Sequence, residues 1–223
     1  MTKDALIVFF KAPELGCVKT RIAALLGNDV TLGLYLAFLA DLAALAREVS
    51  AKTVAACDGV SEKPPQAFDG ASCLKQRGAD IGEKMANALA DVFAMGFDRA
   101  VLIGSDLPDL PANHIQQAFE KLAGAQVVLG PATDGGYYLI GFRKESLSRE
   151  LFSGIHWGGT SVLSETLARA GAVGLQAELI DVWPDIDTVE DLKRFYLRHA
   201  AEEDFLHTMR YLKQQEVAYG LRL

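Results

Sequence analysis

The chain has 223 residues, of which 50% are apolar and 23% are charged, a composition typical of a globular protein with a large buried core. Its formal net charge is −7 and its isoelectric point lies near 5.1. A surface of that sign repels nucleic acid and anionic lipid, so neither nucleic acid nor a membrane is an expected partner. Binding of a phosphorylated ligand to such a protein would require local cations, either basic side chains or a divalent metal.

The cysteines and the apolar segments favour a cytoplasmic protein. Cys17, Cys57 and Cys73 are odd in number and lack CxxC spacing, which disfavours a disulfide framework or a zinc site. The apolar run that follows the N-terminus is too short for the core of a signal peptide. Residues 32–46 are apolar but include Asp41 and are too few to span a bilayer, so we expect a buried helix there.

Apolar runs alternate with helical patterns along the chain. The predicted strands cover residues 5–10, 52–56, 72–76, 99–103, 126–129, 137–142 and 175–182. The predicted helices cover residues 30–49, 81–95, 161–170 and 202–218, with two more that begin near Pro111 and Thr188. This alternation predicts an α/β fold with a mostly parallel sheet between helical layers. We expect a single domain over residues 1–223, with a C-terminal helical extension at about 201–219. This extension is a candidate surface for a homodimer or another partner, although packing onto its own domain is the favoured alternative.

Ligands of such sheets bind beyond the carboxyl ends of the strands, so the loops that follow the strands are the places to search. The loop after the first strand contains Gly16 and leads through Lys19 and Arg21 into a helix. Exposed N–H groups and the dipole at a helix start favour an anion, so this loop is a candidate phosphate site. Neither GxxxxGK[ST] nor GxGxxG is present, and two solvated cations remain the alternative interpretation.

Two acidic segments follow predicted strands. Asp106, in Gly104-Ser105-Asp106, ends an apolar strand, and Asp187 lies in the segment Asp185-Ile186-Asp187-Thr188. Each aspartate could instead serve a turn or cap a helix. Mg²⁺ often binds one or two carboxylates together with substrate phosphates, so the pair could hold one Mg²⁺ or Mn²⁺.

A fourth segment, GPATDGGYY at residues 130–138, joins an acidic side chain to paired glycines. Gly135 and Gly136 permit close approach of the backbone to a ligand. Asp134 is a candidate general base for an acceptor hydroxyl. An ordinary Asp-Gly hairpin turn is the equally weighted alternative.

Five segments together resemble the bacterial glycosyltransferase-A-like proteins named as nucleotide-diphospho-sugar transferases. They are VFFKAPELGCVKTR at 8–21, QRGADIGEKMANA at 76–88, LIGSDLPDL at 102–110, GPATDGGYYLIG at 130–141 and DIDTVEDL at 185–192. The molybdenum-cofactor and phospholactate guanylyltransferases are related to this family. The resemblance implies the three-layer nucleotide-diphospho-sugar transferase fold and metal positions at Asp106 and Asp187. It also implies a nucleotide and phosphate site, with contributions from Pro13, Gly16, Lys19, Arg21, Gly78, Gly135 and Gly136.

The leading hypothesis is metal-dependent glycosyl transfer from a nucleotide sugar to a small acceptor. The related nucleotidyltransferases open with a GxGTR-type loop, which only Gly16, Thr20 and Arg21 match here, so an intact nucleotide-sugar donor is favoured. The alternatives are nucleotidyl transfer, which joins an NTP to a phosphorylated acceptor and releases pyrophosphate, and a catalytically silent nucleotide-binding partner protein.

Overall fold

The computed structural model describes residues 2–59, 65–201 and 206–219. The strands of this described part are β1 (Asp4–Lys11), β2 (Lys52–Asp58), β3 (Ser72–Lys75), β4 (Arg99–Ile103), β5 (Val127–Pro131), β6 (Tyr137–Arg143) and β7 (Ala177–Leu179). The helices are α1 (Thr20–Leu26), α2 (Asn28–Glu48), α3 (Ile81–Ala94), α4 (Ala112–Lys121), α5 (Val162–Ala172), α6 (Val189–His199) and α7 (His207–Tyr219). The predicted α/β fold is confirmed.

The sheet is mostly parallel, with the strand order β3-β2-β1-β4-β6-β5-β7. Only β6 runs antiparallel to its neighbours, β4 and β5. From β1 the chain first adds strands on one side, β2 and β3, and then crosses to the other side at β4. The carboxyl ends of β1 and β4 therefore flank a topological switch point, where ligands of open α/β sheets bind.

The two faces of β1 pack against different helical layers. Leu6, Val8 and Phe10 join the core cluster that includes residues of α2 and α6, whereas Ala5, Ile7 and Phe9 join the cluster that includes residues of α3. A strand covered on both sides has no polar face, which explains its unbroken apolar sequence.

Helix α2 is long and apolar enough to cross a membrane by length and composition, but 61% of its most apolar window is buried inside the fold. Its one buried carboxylate, Asp41, accepts hydrogen bonds from the backbone N–H groups of His207 at 2.6 Å and Thr208 at 2.9 Å. These bonds hold the start of α7 against α2. Helix α2 is therefore a core helix that anchors the C-terminal helix. The part of the predicted extension at 202–205 lies outside the described residues.

The least accurate strand prediction is the last one. Residues 175–182 were expected to pair along their whole length, but β7 contains only Ala177–Leu179. Beyond it, the chain touches the sheet again through an isolated bridge between Trp183 and Ala132. The segment then leaves the sheet edge and carries Asp185 and Asp187 towards the end of β4.

Candidate active site at the carboxyl ends of β1 and β4

A cavity of about 400 Å³ opens beside the switch point and is lined by residues from the ends of β1, β2 and β4. We call it the first cavity. Its volume lies in the range of small-molecule and cofactor sites. The predicted residues Lys19, Arg21, Asp106 and Asp187 all line it, so the fold brings together side chains that are up to 168 positions apart in sequence.

The loop between β1 and α1 delivers Lys19 to this cavity in an unusual backbone conformation. Lys19 has φ 45° and ψ 46°, and no other non-glycine residue in the described ranges has a positive φ. Left-handed geometry disfavours residues with a Cβ and is often found at functional sites. The conformation lets Lys19 precede α1 while its side chain turns inward, where only 6% of it is exposed.

The Lys19 ammonium lies between the two aspartates that were predicted to hold a metal. Its Nζ is 2.6 Å from Asp106 Oδ1 and 2.9 Å from Asp187 Oδ1, and it donates to the backbone oxygen of Ile186 at 2.6 Å. Burial alone would lower the pKa of Lys19, but the two carboxylates outweigh it and hold the pKa above its ordinary value. Lys19 is therefore charged, and the alternative interpretation as a solvated cation does not apply to it.

Asp106 is positioned by the end of β4 and by the residue before it. Ser105 Oγ lies 3.1 Å from the hydroxyl of Tyr35, which accepts a hydrogen bond from the backbone N–H of Lys11 at 3.1 Å. Burial raises the pKa of Tyr35 and keeps its phenol neutral. These contacts connect the ends of β1 and β4 in the lining of the first cavity.

Asp187 is positioned by the start of α6. Thr188 and Asp191 form a capping box, and the Asp191 carboxylate also accepts from the backbone N–H of Asp187 at 3.2 Å. The backbone N–H of Ile186 donates to the backbone oxygen of Asp106 at 2.9 Å. The helix cap is therefore formed by Thr188 and Asp191, which leaves the Asp187 carboxylate available to the cavity.

The remaining residues of the predicted phosphate site are placed differently. Arg21 is 75% exposed along its side chain, with its guanidinium 3.9 Å from Asp187. Pro13 and Gly16 lie in the same loop but do not line the first cavity. Gly78 has φ +152°, and a Cβ there would come within 2.7 Å of Glu83 and Lys84. The need for glycine at position 78 is thus explained by packing against the first turn of α3.

A second, smaller cavity of about 130 Å³ lies on the other side of Asp106. Asp106, Asp134 and Asp185 line it together with Gly136 and the adjoining tyrosines. Burial and, next, the charge of Asp134 raise the pKa of Asp185 to about 6. Nothing in the local sequence around Asp185 shows that Asp134 and Asp106 face it, so its position in this cavity could not be predicted from the segment alone.

The Asp-Gly-Gly segment that borders this cavity is also a hairpin connection. Residues 132–136 join the antiparallel strands β5 and β6, as the turn interpretation expected. Asp134 Oδ1 accepts from the backbone N–H of Gly136 at 2.8 Å. Gly135 has φ +93°, and a Cβ would lie 2.1 Å from the backbone oxygen of Thr160. Gly135 is thus required by contact with a neighbouring loop, whereas Asp134 and Gly136 reach the cavity.

The described residues include no group of three or more His, Cys, Asp or Glu side chains that could hold a metal ion. The donor set around Lys19 still suits a divalent cation, because the oxygens of Asp106 and Asp187 already converge on a positive charge. Mg²⁺ commonly takes one or two carboxylates and completes its shell with water and substrate phosphates. The pair therefore fits such an ion if Lys19 moves away from the carboxylates when the ion binds.

Asp109, which from the sequence could be either a metal ligand or the cap of the next helix, instead joins two segments of the chain. Its side chain is 3% exposed and accepts from Trp183 Nε1 at 3.2 Å and from Arg198 at 2.7 Å. His199 Nε2 lies 2.9 Å from the same carboxylate. Asp109 thus connects the loop after β4 to the segment that carries Asp187, and the helix that follows it has Pro111 as its N-cap.

Comparisons with known proteins agree with this architecture. A solved structure from Desulfovibrio desulfuricans G20, provisionally named a nucleotide-diphospho-sugar transferase, is 34% identical with a TM-score of 0.89, over 97% of this chain and 96% of that one. The 2-phospho-L-lactate guanylyltransferase of Methanothermobacter thermautotrophicus is 28% identical over 203 residues, which is 86% of each chain. Rv0371c of Mycobacterium tuberculosis, solved in complex with manganese, shares the fold with a TM-score of 0.53 at 15% identity, over 86% of this chain and 97% of that one.

Residues 37–159 match the model of a family described as an uncharacterized protein conserved in bacteria (DUF2064). The match covers more than half of the chain, and the chain belongs to this family. The predicted resemblance to nucleotide-diphospho-sugar transferases and their guanylyltransferase relatives is confirmed, and these relatives are transferases.

Proposed function

We propose that this member of the DUF2064 family is a metal-dependent nucleotidyltransferase, which transfers the nucleoside monophosphate of an NTP to a small acceptor. The main observation behind this proposal is the Lys19 ammonium, which lies between Asp106 and Asp187 at a cavity of about 400 Å³. The two carboxylates can bind a metal ion beside the buried lysine. A triphosphate suits such a site, because its negative charge offsets the repulsion between the metal ion and the lysine ammonium.

In the proposed reaction, a nucleophilic oxygen of the acceptor attacks the α-phosphorus of the NTP. The new bond joins that oxygen to the α-phosphorus, and the bond from the α-phosphorus to its bridging oxygen breaks. Pyrophosphate leaves with the bonding electron pair, and the acceptor loses its proton if the attacking group is a hydroxyl. Asp134 is the candidate that receives this proton, because it lines the second cavity next to Asp106.

The cations of the site would bind the phosphates. Lys19 enters from the cavity wall and Arg21 from the exposed first turn of α1, so they could contact different phosphate groups. Asp106 and Asp187 would hold Mg²⁺ or Mn²⁺, which when bound neutralises charge on the triphosphate and on the leaving pyrophosphate. The guanylyltransferase relative, which matches 86% of this chain, supports nucleotidyl transfer over the glycosyl transfer that the sequence favoured.

Glycosyl transfer from a nucleotide sugar is the second candidate. The observation that favours it is the second cavity, where Asp134 and Asp185 could accept hydrogen bonds from sugar hydroxyls. The Desulfovibrio relative, provisionally named a sugar transferase, agrees with this alternative. The two reactions give different products from different donors, since only nucleotidyl transfer releases pyrophosphate from an NTP.

The test is a product assay with each of the four NTPs and a panel of nucleotide sugars, with Mg²⁺, with Mn²⁺ and with chelator. We expect metal-dependent pyrophosphate release from an NTP in the presence of phosphorylated or hydroxyl acceptors. Asp106→Asn and Asp187→Asn should each lower the rate by about 10² to 10³-fold. Asp69→Asn, which changes an exposed aspartate at the end of a 3₁₀ turn, is the matched control.

Three results would redirect the proposal. Release of a nucleoside diphosphate from a nucleotide sugar, with no pyrophosphate from any NTP, would establish glycosyl transfer instead. Metal-insensitive nucleotide binding with no product would point to a silent binding protein. Activity of Asp106→Asn or Asp187→Asn equal to that of the Asp69→Asn control would refute the metal pair.

The proposed location is the cytoplasm. Cys17, Cys57 and Cys73 are all free thiols, two of them exposed, as is usual in a reducing compartment.

A further inference from the structure

The far end of the first cavity, away from Asp106, is formed by the ends of β2 and β3. Asp58 is the last residue of β2, and Gln76 follows directly after β3. Because Cys57 pairs with Lys75 in the parallel register, Asp58 and Gln76 lie beside each other at the same edge of the sheet. Both line the cavity, roughly 10 Å or more from the end of β4 by strand spacing.

Gln76 is anchored so that only one of its polar atoms remains for a ligand. It is 8% exposed, and its Nε2 donates to the backbone oxygens of Phe10 at 3.1 Å and Ala56 at 2.9 Å. Both hydrogens of the amide are thereby used. A flipped amide would place its oxygen against two carbonyl oxygens, so Oε1 is fixed as an acceptor. No described residue donates a hydrogen bond to it.

Asp58 provides a second acceptor at the same place. Lys84 Nζ contacts Asp58 Oδ2 at 2.7 Å, while Oδ1 has no hydrogen-bond partner among the described residues. The Lys84 contact holds the carboxylate in position. The end of the cavity therefore presents two neighbouring acceptors from two adjacent strands, and a partly buried acceptor that finds no donor weakens binding.

We propose that Asp58 and Gln76 read the edge of the nucleobase and select guanine; this inference rests on the proposed nucleotide site. Guanine presents two donors side by side, the N1–H and the 2-amino group. Adenine and cytosine each present one amino group next to a ring nitrogen acceptor, and uracil presents one N–H between two carbonyl oxygens. Only guanine offers two neighbouring donor nitrogens to two fixed acceptors on this edge, whereas the other bases place a ring nitrogen or a carbonyl oxygen beside their single donor nitrogen, and such sites discriminate strongly.

The test is isothermal titration of the full chain, in the presence of Mg²⁺, with GTP, ITP, ATP, CTP and UTP. ITP is the sharpest probe because its base keeps the N1–H and lacks only the 2-amino group. We expect GTP to bind about tenfold or more tightly than ITP, and ATP, CTP and UTP to bind more weakly than GTP by at least the same factor.

Two variants examine the acceptors separately. Gln76→Met removes the fixed oxygen, and Asp58→Asn replaces one carboxylate oxygen with a donor; each should bring the GTP to ATP affinity ratio close to one. Gln76 also connects the ends of β1 and β2 through its hydrogen bonds to Phe10 and Ala56, so the thermal unfolding of each variant is measured as well. If Gln76→Met does not fold, Asp58→Asn still tests the inference. Gln116→Met, at an exposed position of α4, is the matched control and should keep the wild-type ratio.

Equal affinities for GTP and ITP would overturn the inference and leave the proposed nucleotidyl transfer intact. The same holds if both variants weaken all five nucleotides by one common factor, which is what a purely structural role predicts. If none of the nucleotides binds, the proposed function itself is wrong and the base-reading inference falls with it.

Discussion

The two cavities that share Asp106 differ in charge. The first cavity is lined by Lys11, Lys19 and Arg21 as well as by carboxylates. The second is lined by Asp106, Asp134 and Asp185, and none of its lining residues is basic. This difference suggests that the two cavities, which meet at Asp106, bind different parts of the substrates. Phosphates are stabilised where the cations lie, whereas the second cavity favours an uncharged, hydroxyl-bearing part of an acceptor.

The substitution Asp134→Asn should separate the two cavities most strongly. We expect kcat/KM for the acceptor to fall about 100-fold, because a general base is lost, while the Kd of the nucleotide stays within about twofold. The amide oxygen of asparagine can still accept from the Gly136 backbone N–H, so the turn should be preserved.

The measurement combines steady-state kinetics, with the acceptor as the varied substrate, and titration of the nucleotide alone. Asp69→Asn again serves as the control. A loss of nucleotide affinity as large as the loss of acceptor kcat/KM would show that the two cavities do not divide the reaction in this way.

The substitution Lys19→Met examines the charge balance of the first cavity. Without the ammonium, the carboxylates of Asp106 and Asp187 lose the cation that lies between them, so the free energy of unfolding should fall by about 1–3 kcal/mol in metal-free buffer. The loss is smaller than for a fully buried pair because the two carboxylates are 37% and 43% exposed and are screened by water.

Added Mg²⁺ or Mn²⁺ should then raise the melting temperature of Lys19→Met more than that of the wild type, since the ion no longer competes with the lysine. Lys193→Met, at an exposed position of α6, should show the wild-type response. An identical metal response in the wild type and in Lys19→Met would contradict the idea that Lys19 occupies the cation position.

The fold could be predicted from the sequence wherever burial dictates a pattern. β4 was predicted with its observed bounds, Arg99–Ile103, because an apolar run covered on both faces ends abruptly at Gly-Ser-Asp. β7 was predicted too long because it lies at the sheet edge, where a short run of pairing leaves little trace in the residue pattern. The antiparallel direction of β6 depends on the hairpin at residues 132–136, whose Asp-Gly pair was weighed both as a turn and as a ligand site.

The site could be predicted only in part. Asp106 and Asp187 were found because acidic residues after strands are conspicuous and the carboxyl ends of strands converge. Lys19 was predicted as a candidate phosphate ligand with a solvated cation as the alternative, but its inward turn between the two aspartates depends on a left-handed backbone that lysine rarely adopts and that the sequence does not show. The roles of Asp58 and Gln76 depend on strand register, which brings together two residues that neither motif nor spacing connects.

The substitution Asp185→Asn should have the smallest effect of the three. The pH dependence of its stability tests whether the carboxylates of the second cavity repel one another. The folded protein keeps the Asp185 proton up to a pKa of about 6, whereas the unfolded chain loses it near the ordinary aspartate pKa of 3.8. Between these values the unfolded state binds fewer protons, so ionisation of Asp185 lowers the stability of the wild type as pH rises through this window. Below the window the carboxyl is protonated in both states and contributes nothing.

Asp185→Asn removes this penalty, so in chelator the variant should be more stable than the wild type by about 1 kcal/mol at pH 7.5, after allowance for solvent screening. At pH 3.5 the advantage should vanish. Urea unfolding at the two pH values measures both differences, with Asp69→Asn as the control. An advantage that is equal at both pH values would mean that asparagine merely packs better, and that the carboxylates of the second cavity do not repel one another as their positions require.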